Sequence, residues 1–393
     1  MPEGAGKEMP IPPLEREALL AEARRRTTGL EDFGDSWFLE PLQVMLDATH
    51  AEAQLSAAGE AMEAERIIKC LMNRLRLIEA IRAHPEILDE KVTVAAAILG
   101  LSRTGSTKTH RMLCAAPSFT GMNWWEAQFP CPFEGEERGR PVARRAAAQQ
   151  LFDLWLKLMP EIMSIHPMSL DQPEEEAILM DQQFVGTMVE CFVWVPSYAK
   201  WLETADQTKA YQDLLLSLKY LQWQNPARAG KAWILKTPSH LSAPQTLLET
   251  FPGSVIVMTH RDPLRTIPSY CSMNATLMRM KSERVPLKQL GPFISGRWSW
   301  MLNNLIALRE RIGDTRFVDL HYQDLVGRPM EQARKVFAKM NRPLTVADEA
   351  ALQTWLDANP RDKRPPHVYD LDTYGLTEEL LKRDFAKYRA KYL

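Results

Sequence analysis

Apolar residues recur at three- and four-residue intervals along the N-terminal part of the chain, and this spacing predicts helix from Leu14 to Ala83. The pattern is clearest over Glu60–Ile81 (EAMEAERIIKCLMNRLRLIEAI), and His84-Pro85 marks its end, because a residue before proline is pushed out of the helical region. Residues 1–13 read as a loose arm. The period then changes. Val92–Leu99 (VTVAAAIL) is a short continuous apolar run leading directly into Gly100, which predicts a buried strand. Arg103 to Gly105 turn the chain, and Thr107–Ala116 reads as helix up to Pro117. Residues 140–225 are helix-rich and punctuated by Pro160, Pro167, Pro173 and Pro196. Three further strands are predicted at Ala232–Leu235, Val255–Met258 and Arg316–Leu320, with helical stretches between them. Strands alternating with helices imply an α/β fold with a central parallel sheet of four to five strands covered on both faces. In such sheets ligands sit beyond the C-terminal ends of the strands.

Composition narrows the picture. At a prior of about 150 residues per domain, 393 residues admit two or three units or one large α/β domain. A chain of this size buries roughly three quarters of its unfolded surface and needs no staples. The 48 Lys and Arg nearly balance 50 Asp and Glu. That argues against nucleic acid or an anionic membrane as a bulk partner but leaves room for one local cationic pocket. The five cysteines are widely spread and include no C-x-x-C pair, so neither a disulfide framework nor a zinc site is suggested, and the cytoplasm is the simplest location. The N-terminus has no apolar segment of signal-peptide type, and no run of about 18 apolar residues predicts a membrane span.

The candidate chemistry lies at the strand ends. Gly100-Leu101-Ser102-Arg103-Thr104-Gly105-Ser106-Thr107 has the glycine spacing of a nucleotide phosphate loop, but Ser106 stands where that motif needs lysine. Free N–H groups and the dipole at the start of the next helix still favour an anion. Arg103 adds a forked cation, and Ser106 and Thr107 add hydroxyls. The plain alternative is an ordinary strand–turn–helix connection whose Ser and Thr cap the helix. Lys236 and His240, four positions apart around Pro238, leave the second predicted strand. Histidine suits general-base work, and lysine suits charge developing on a bridging oxygen. Arg261 leaves the third strand, ahead of Asp262-Pro263 and Ser269, and Arg261 and Ser269 can share one phosphate. No acidic cluster accompanies these groups, which implies a polyanionic ligand and no essential metal.

The strings at these ends resemble the bacterial members of the sulfotransferase superfamily. GLSRTGSTKTHRML (100–113) resembles the GLPRTGTT-x-LHRLL loop, and ILKTPSHL (234–241) resembles LKSPxHL. THRDPLRTIPS (259–269) resembles HRDPxxxxxS, and HYQDLVGRP (321–329) is similar to YEDLVxxP. Segments at 29–35, 195–199 and 220–223 also look like family segments, so the resemblance covers most of residues 28–390. It implies a P-loop-like domain that uses 3′-phosphoadenylyl sulfate (PAPS) and releases adenosine 3′,5′-bisphosphate. Arg103, Thr104, Gly105, Ser106 and Thr107 would hold the 5′-phosphosulfate. Lys236 would contact the bridging oxygen, and Arg261 and Ser269 would grip the 3′-phosphate. Lys363, Arg364, His367 and Tyr369 resemble the KHGxHxY loop that closes over the nucleotide, with Arg364-Pro365 in place of its His-Gly pair.

Two residues are candidates for the general base. His240 lies in a segment resembling the Lys-Thr-His-type stretch of the cytosolic branch, with two residues intervening after Thr237. Glu126 follows the phosphate-loop helix, where some branches use a glutamate. The expected layout is one domain over 14–393. It comprises an N-terminal helical segment (14–90), the phosphosulfate loop (92–120), a helical acceptor-side insertion (140–230), the Lys/His and 3′-phosphate segments (231–335) and a closing loop (359–376). The expected partner is a small alcohol, phenol, lipid or amine, with no nucleic acid, no integral membrane segment and a homodimer allowed. The alternatives are an ATP-dependent P-loop phosphotransferase and an inactive nucleotide-binding relative.

Overall fold

The computed structural model describes residues 11–160, 162–360 and 370–393. Five parallel strands form its sheet: β1 (Val94–Gly100), β2 (Phe119–Thr120), β3 (Ala232–Lys236), β4 (Val255–His260) and β5 (Phe317–His321), in the order β2-β3-β1-β4-β5. Four of them are the four apolar runs predicted above. β2 has two residues, too few to carry a period.

β1, β3 and β4 are buried at every position, as expected of strands covered on both faces. Their side chains divide with a period of two. Ala97, Leu99, Trp233, Leu235, Ile256 and Met258 join one core with Leu214, Leu218, Ile267, Trp298 and Leu302. Ala96, Ile98, Ala232, Ile234, Val255 and Val257 join another with Met112, Leu113, Val336 and Phe337 on the opposite face. The result is helix, sheet, helix.

The N-terminal helical stretch is broken into Arg16–Arg26, Leu39–Glu52 and Ala57–Ala83. The breaks follow turn chemistry that the apolar period does not report. Gly29 and Gly34 take positive φ, the Asp35 carboxylate caps the turn before the second helix, and the Ser56 hydroxyl caps the third. These helices share a third core with Phe184, Val185, Val189, Val193, Val195, Tyr198 and Leu202 of the middle segment.

β1 sits at the centre of the sheet. The chain leaves it toward β3 and β2 on one side and later fills β4 and β5 on the other, so the C-terminal end of β1 is a topological switch point. The loop after Gly100 opens there.

Candidate active site

Gly100 pairs in register with Thr259 at the end of β4. Its φ is +148°, and a Cβ there would fall 2.5 Å from the Thr259 carbonyl oxygen. Glycine is therefore required for the loop to leave the sheet this closely. Arg103 (φ 72°) and Gly105 (φ 89°) are left-handed, and helix Ser106–Cys114 follows immediately. Left-handed residues at 103 and 105, on either side of Thr104, turn the chain so that the loop ends directly on a helix N-terminus, whose free N–H groups favour an anion. Thr104 is buried, and its hydroxyl meets the Leu101 carbonyl (2.7 Å) and the Thr259 hydroxyl (2.6 Å). Its side chain ties the loop to β4.

Two more strand ends meet this loop. The Lys236 ammonium, at the end of β3, donates to the Thr107 hydroxyl at 3.3 Å and pairs with the Glu175 carboxylate. The Arg261 guanidinium, just past β4, donates to the Arg103 carbonyl at 2.8 Å and lies 4.0 Å over the Tyr322 ring. Arg103 itself is exposed. Ser269 is half-buried on helix Pro263–Met278, which Asp262 caps. The loop therefore meets both strand ends, Thr107 through Lys236 and the Arg103 carbonyl through Arg261. Lys363, Arg364, His367 and Tyr369 lie outside the described residues.

The two candidate bases are placed differently from the expectation. His240 has no solvent contact. Its Nε2 donates to Glu176 at 2.7 Å, and its Nδ1 accepts from the Tyr211 hydroxyl at 2.8 Å. Both ring nitrogens are engaged inside the protein, so His240 presents neither to an acceptor. Glu126 is 3% exposed. It takes two hydrogen bonds from Arg228, at 2.8 and 2.6 Å, and a third from the Asn123 backbone N–H. A buried carboxylate held by a guanidinium on one side and a capping box on the other has three of its four lone pairs engaged inside the protein.

Contrary to the expectation that no acidic cluster accompanies these groups, Glu174-Glu175-Glu176, a run that reads in sequence as the N-terminus of a helix, brings carboxylates to the Lys236 strand end. Glu176 is N-cap to helix Ala177–Asp181, but its carboxylate accepts from the Lys236 backbone N–H (3.0 Å) and from His240. Burial opposes its ionisation, yet the His240 and Lys236 hydrogen bonds outweigh burial and hold the carboxyl below its ordinary value. Glu174 meets His166 Nε2 at 3.2 Å. Burial pulls His166 down, and the Glu174 charge overrides it and raises the imidazole above its ordinary value. Glu175 lies between them. It touches the Lys236 ammonium and accepts from the Thr237 hydroxyl at 3.3 Å, and its side chain keeps 23% exposure. It is the carboxylate at this strand end that is paired and still open. Among the described residues no three His, Cys, Asp or Glu side chains gather to hold a metal ion.

This geometry can be set beside known proteins. A sequence model described as the sulfotransferase family matches residues 96–346, well over half of the chain. The chain belongs to the sulfotransferase family. Its relatives include the omega-hydroxy-beta-dihydromenaquinone-9 sulfotransferase Stf3 of Mycobacterium bovis and of Mycobacterium tuberculosis. Each is 25% identical over 268 residues, which is 67% of this chain and 64% of theirs. This sulfotransferase-family chain is also similar to the crystal structure of sulfotransferase STF9 from Mycobacterium avium. The TM-score there is 0.85 at 26% identity, covering 99% of this chain and 98% of that one. Sulfotransferase STF1 from Mycobacterium tuberculosis H37Rv gives a TM-score of 0.81 at 29% identity, covering 95% and 98%.

Proposed function

We propose that this chain transfers a sulfuryl group from PAPS to the hydroxyl of an apolar small molecule in the cytoplasm, by in-line displacement without an essential metal. The observation that carries the reading is Lys236, whose ammonium touches both the helix start of the phosphate loop and an open carboxylate. Three cations and a helix N-terminus at one switch point fit a polyanion with phosphates at both ends.

The step follows from these groups. The acceptor oxygen forms a bond to sulfur while the bond from sulfur to the bridging phosphate oxygen breaks. Negative charge then grows on the phosphate, where Lys236 and the loop N–H groups stabilise it. The acceptor proton passes to Glu175, which lies within reach of Lys236 and is open to a ligand. His240 and Glu176 act behind this pair. Glu176 fixes the backbone of Lys236, and His240 fixes Glu176. Glu126 braces the turn after the loop helix through Arg228.

An apolar acceptor is supported by the cluster of Trp124, Trp125, Met159, Ile162, Met168 and Leu277. Half-buried Phe152, Trp155, Met163, Phe192 and Met273 pack against it. Leu277 and Met273 ride on the helix that carries Ser269. The Stf3 relatives are named for a lipid acceptor. The cytoplasmic location is supported by five unpaired cysteines.

The test is binding followed by product. Adenosine 3′,5′-bisphosphate should bind without magnesium, and mass spectrometry of lipid alcohols incubated with PAPS should show the gain of one sulfuryl group. Magnesium-dependent ATP turnover, or a complete absence of sulfated product from lipid, phenol and amine acceptors, would overturn the reading.

A further inference from the structure

The strand end that carries Arg261 is held from outside the sheet. His260, the last residue of β4, is buried and faces helix Ala386–Tyr392. Its Nε2 lies 2.8 Å from Asp319 on β5, and its Nδ1 lies 3.0 Å from the Tyr388 hydroxyl. A carboxylate only accepts, so Nε2 carries the proton and Nδ1 accepts from Tyr388. Asp319 is fixed in turn by two hydrogen bonds from Arg309, at 2.7 and 2.8 Å. The Tyr392 ring stacks on the His260 ring at 4.4 Å and 20°.

The same helix reaches the next two residues. Burial raises the Tyr388 phenol above its ordinary value, and the Arg261 backbone N–H, facing the phenol oxygen, opposes that rise. Arg389 pairs with Asp262 at 3.5 Å, and Asp262 caps the helix that carries Ser269. His260, Arg261 and Asp262 are thus each met by one turn or another of a single helix more than a hundred residues away in sequence. Burial also lowers the His260 imidazole against the pull of Asp319, which keeps it neutral and able to accept from Tyr388.

We propose that helix Ala386–Tyr392 is the positioning element of the 3′-phosphate site, with Tyr388 and Tyr392 acting through His260 to hold the β4 terminus so that Arg261 meets the ribose phosphate. The proposal rests on the PAPS reading given above. Tyr388 is buried behind the strand end. Its effect is on where the Arg261 backbone lies, and therefore on discrimination between nucleotides with and without a 3′-phosphate.

The experiment is titration calorimetry of the full chain with adenosine 3′,5′-bisphosphate and with adenosine 5′-phosphate. Tyr388→Phe removes the hydroxyl and keeps the ring. It should weaken the bisphosphate about 3- to 10-fold, the loss expected for one hydrogen bond, and leave the monophosphate nearly unchanged. Arg389→Ala, at a part-exposed position where misfolding is not a concern, should lower the same ratio about two-fold. Lys387→Ala, on the same helix but paired with Glu310, should leave the ratio as it is. The clamp is overturned if neither Tyr388→Phe nor Arg389→Ala lowers the ratio, or if Lys387→Ala lowers it as much. A native chain with no preference for the bisphosphate overturns the PAPS reading and the clamp with it. A native preference that survives both substitutions overturns the clamp alone.

Discussion

Removing the Glu126 carboxylate should unfold this protein well before it abolishes its chemistry. The Arg228 guanidinium, 3% exposed as a residue, donates to Glu126, to the Leu221 and Gly121 carbonyls (both 3.0 Å) and to the Thr120 hydroxyl (3.2 Å), over the face of Trp233. Glu126→Ala deletes two charge-assisted hydrogen bonds and the capping bond to Asn123. It also leaves a buried cation with neutral partners only. Breaking a buried pair in this way costs about 3–5 kcal/mol. Glu126→Gln keeps the shape and one acceptor, and should cost about half as much. The double variant Glu126→Ala with Arg228→Ala should be less destabilised than the sum of the singles, by about 2 kcal/mol. The assay is urea unfolding followed by tryptophan fluorescence, to which Trp124 and Trp125 beside the pair should respond, with turnover measured in parallel on folded protein. The reasoning fails if Glu126→Ala keeps the wild-type urea midpoint while turnover drops 100-fold or more, because a carboxylate that is expendable for folding and needed for rate is a proton acceptor.

Other consequences are as direct. Glu175→Gln should lower kcat by about 10²- to 10⁴-fold with little change in melting temperature, since its side chain is part-exposed; a kcat within a few-fold of wild type would remove it as the base. Lys236→Met, of similar volume, should lower kcat by about 10²- to 10³-fold, read from single-turnover transfer at saturating PAPS. Gly100→Ala should destabilise the fold by at least ~2 kcal/mol, because its Cβ would meet the Thr259 backbone at a positive φ; an unchanged unfolding midpoint would show that the loop leaves the sheet differently. His110 gives a pH signature. Burial, aided by the Lys236 charge, pulls its imidazole down to about 4, so the folded state holds it neutral where the unfolded chain takes a proton. The contribution is full above pH 6.5 and fades as the pH falls toward 4, for a loss of about 3 kcal/mol. His110→Gln should flatten that part of the stability-against-pH curve.

The fold was legible where burial is written in consecutive residues. A strand covered on both faces must be apolar throughout, and VAAAIL, AWIL and VIVM are; helices between them leave few topologies open. The phosphate loop was legible for a similar reason. Gly100 and Gly105 are demanded by local backbone geometry, and Arg103, Ser106 and Thr107 sit between or beside them. The break at Gly29–Gly34 and the two-residue β2 were not, because the first depends on turn residues inside an unbroken apolar period and the second is shorter than any period.

The sequence by itself determined four of the five strands, their ends and the cations that stand there, because each depends on neighbours within a few residues. It could not say which polar side chain stays open at these strand ends, which depends on what lies opposite. His240 and Glu126 have the right chemistry, but packing gave one to Glu176 and Tyr211 and the other to Arg228. Glu174-Glu175-Glu176 looked like a helix start, and only the approach of β3, some sixty residues on, put Lys236 against Glu175. A carboxylate's role is set by which partners burial brings to it and which face it leaves open, and both are properties of the tertiary structure.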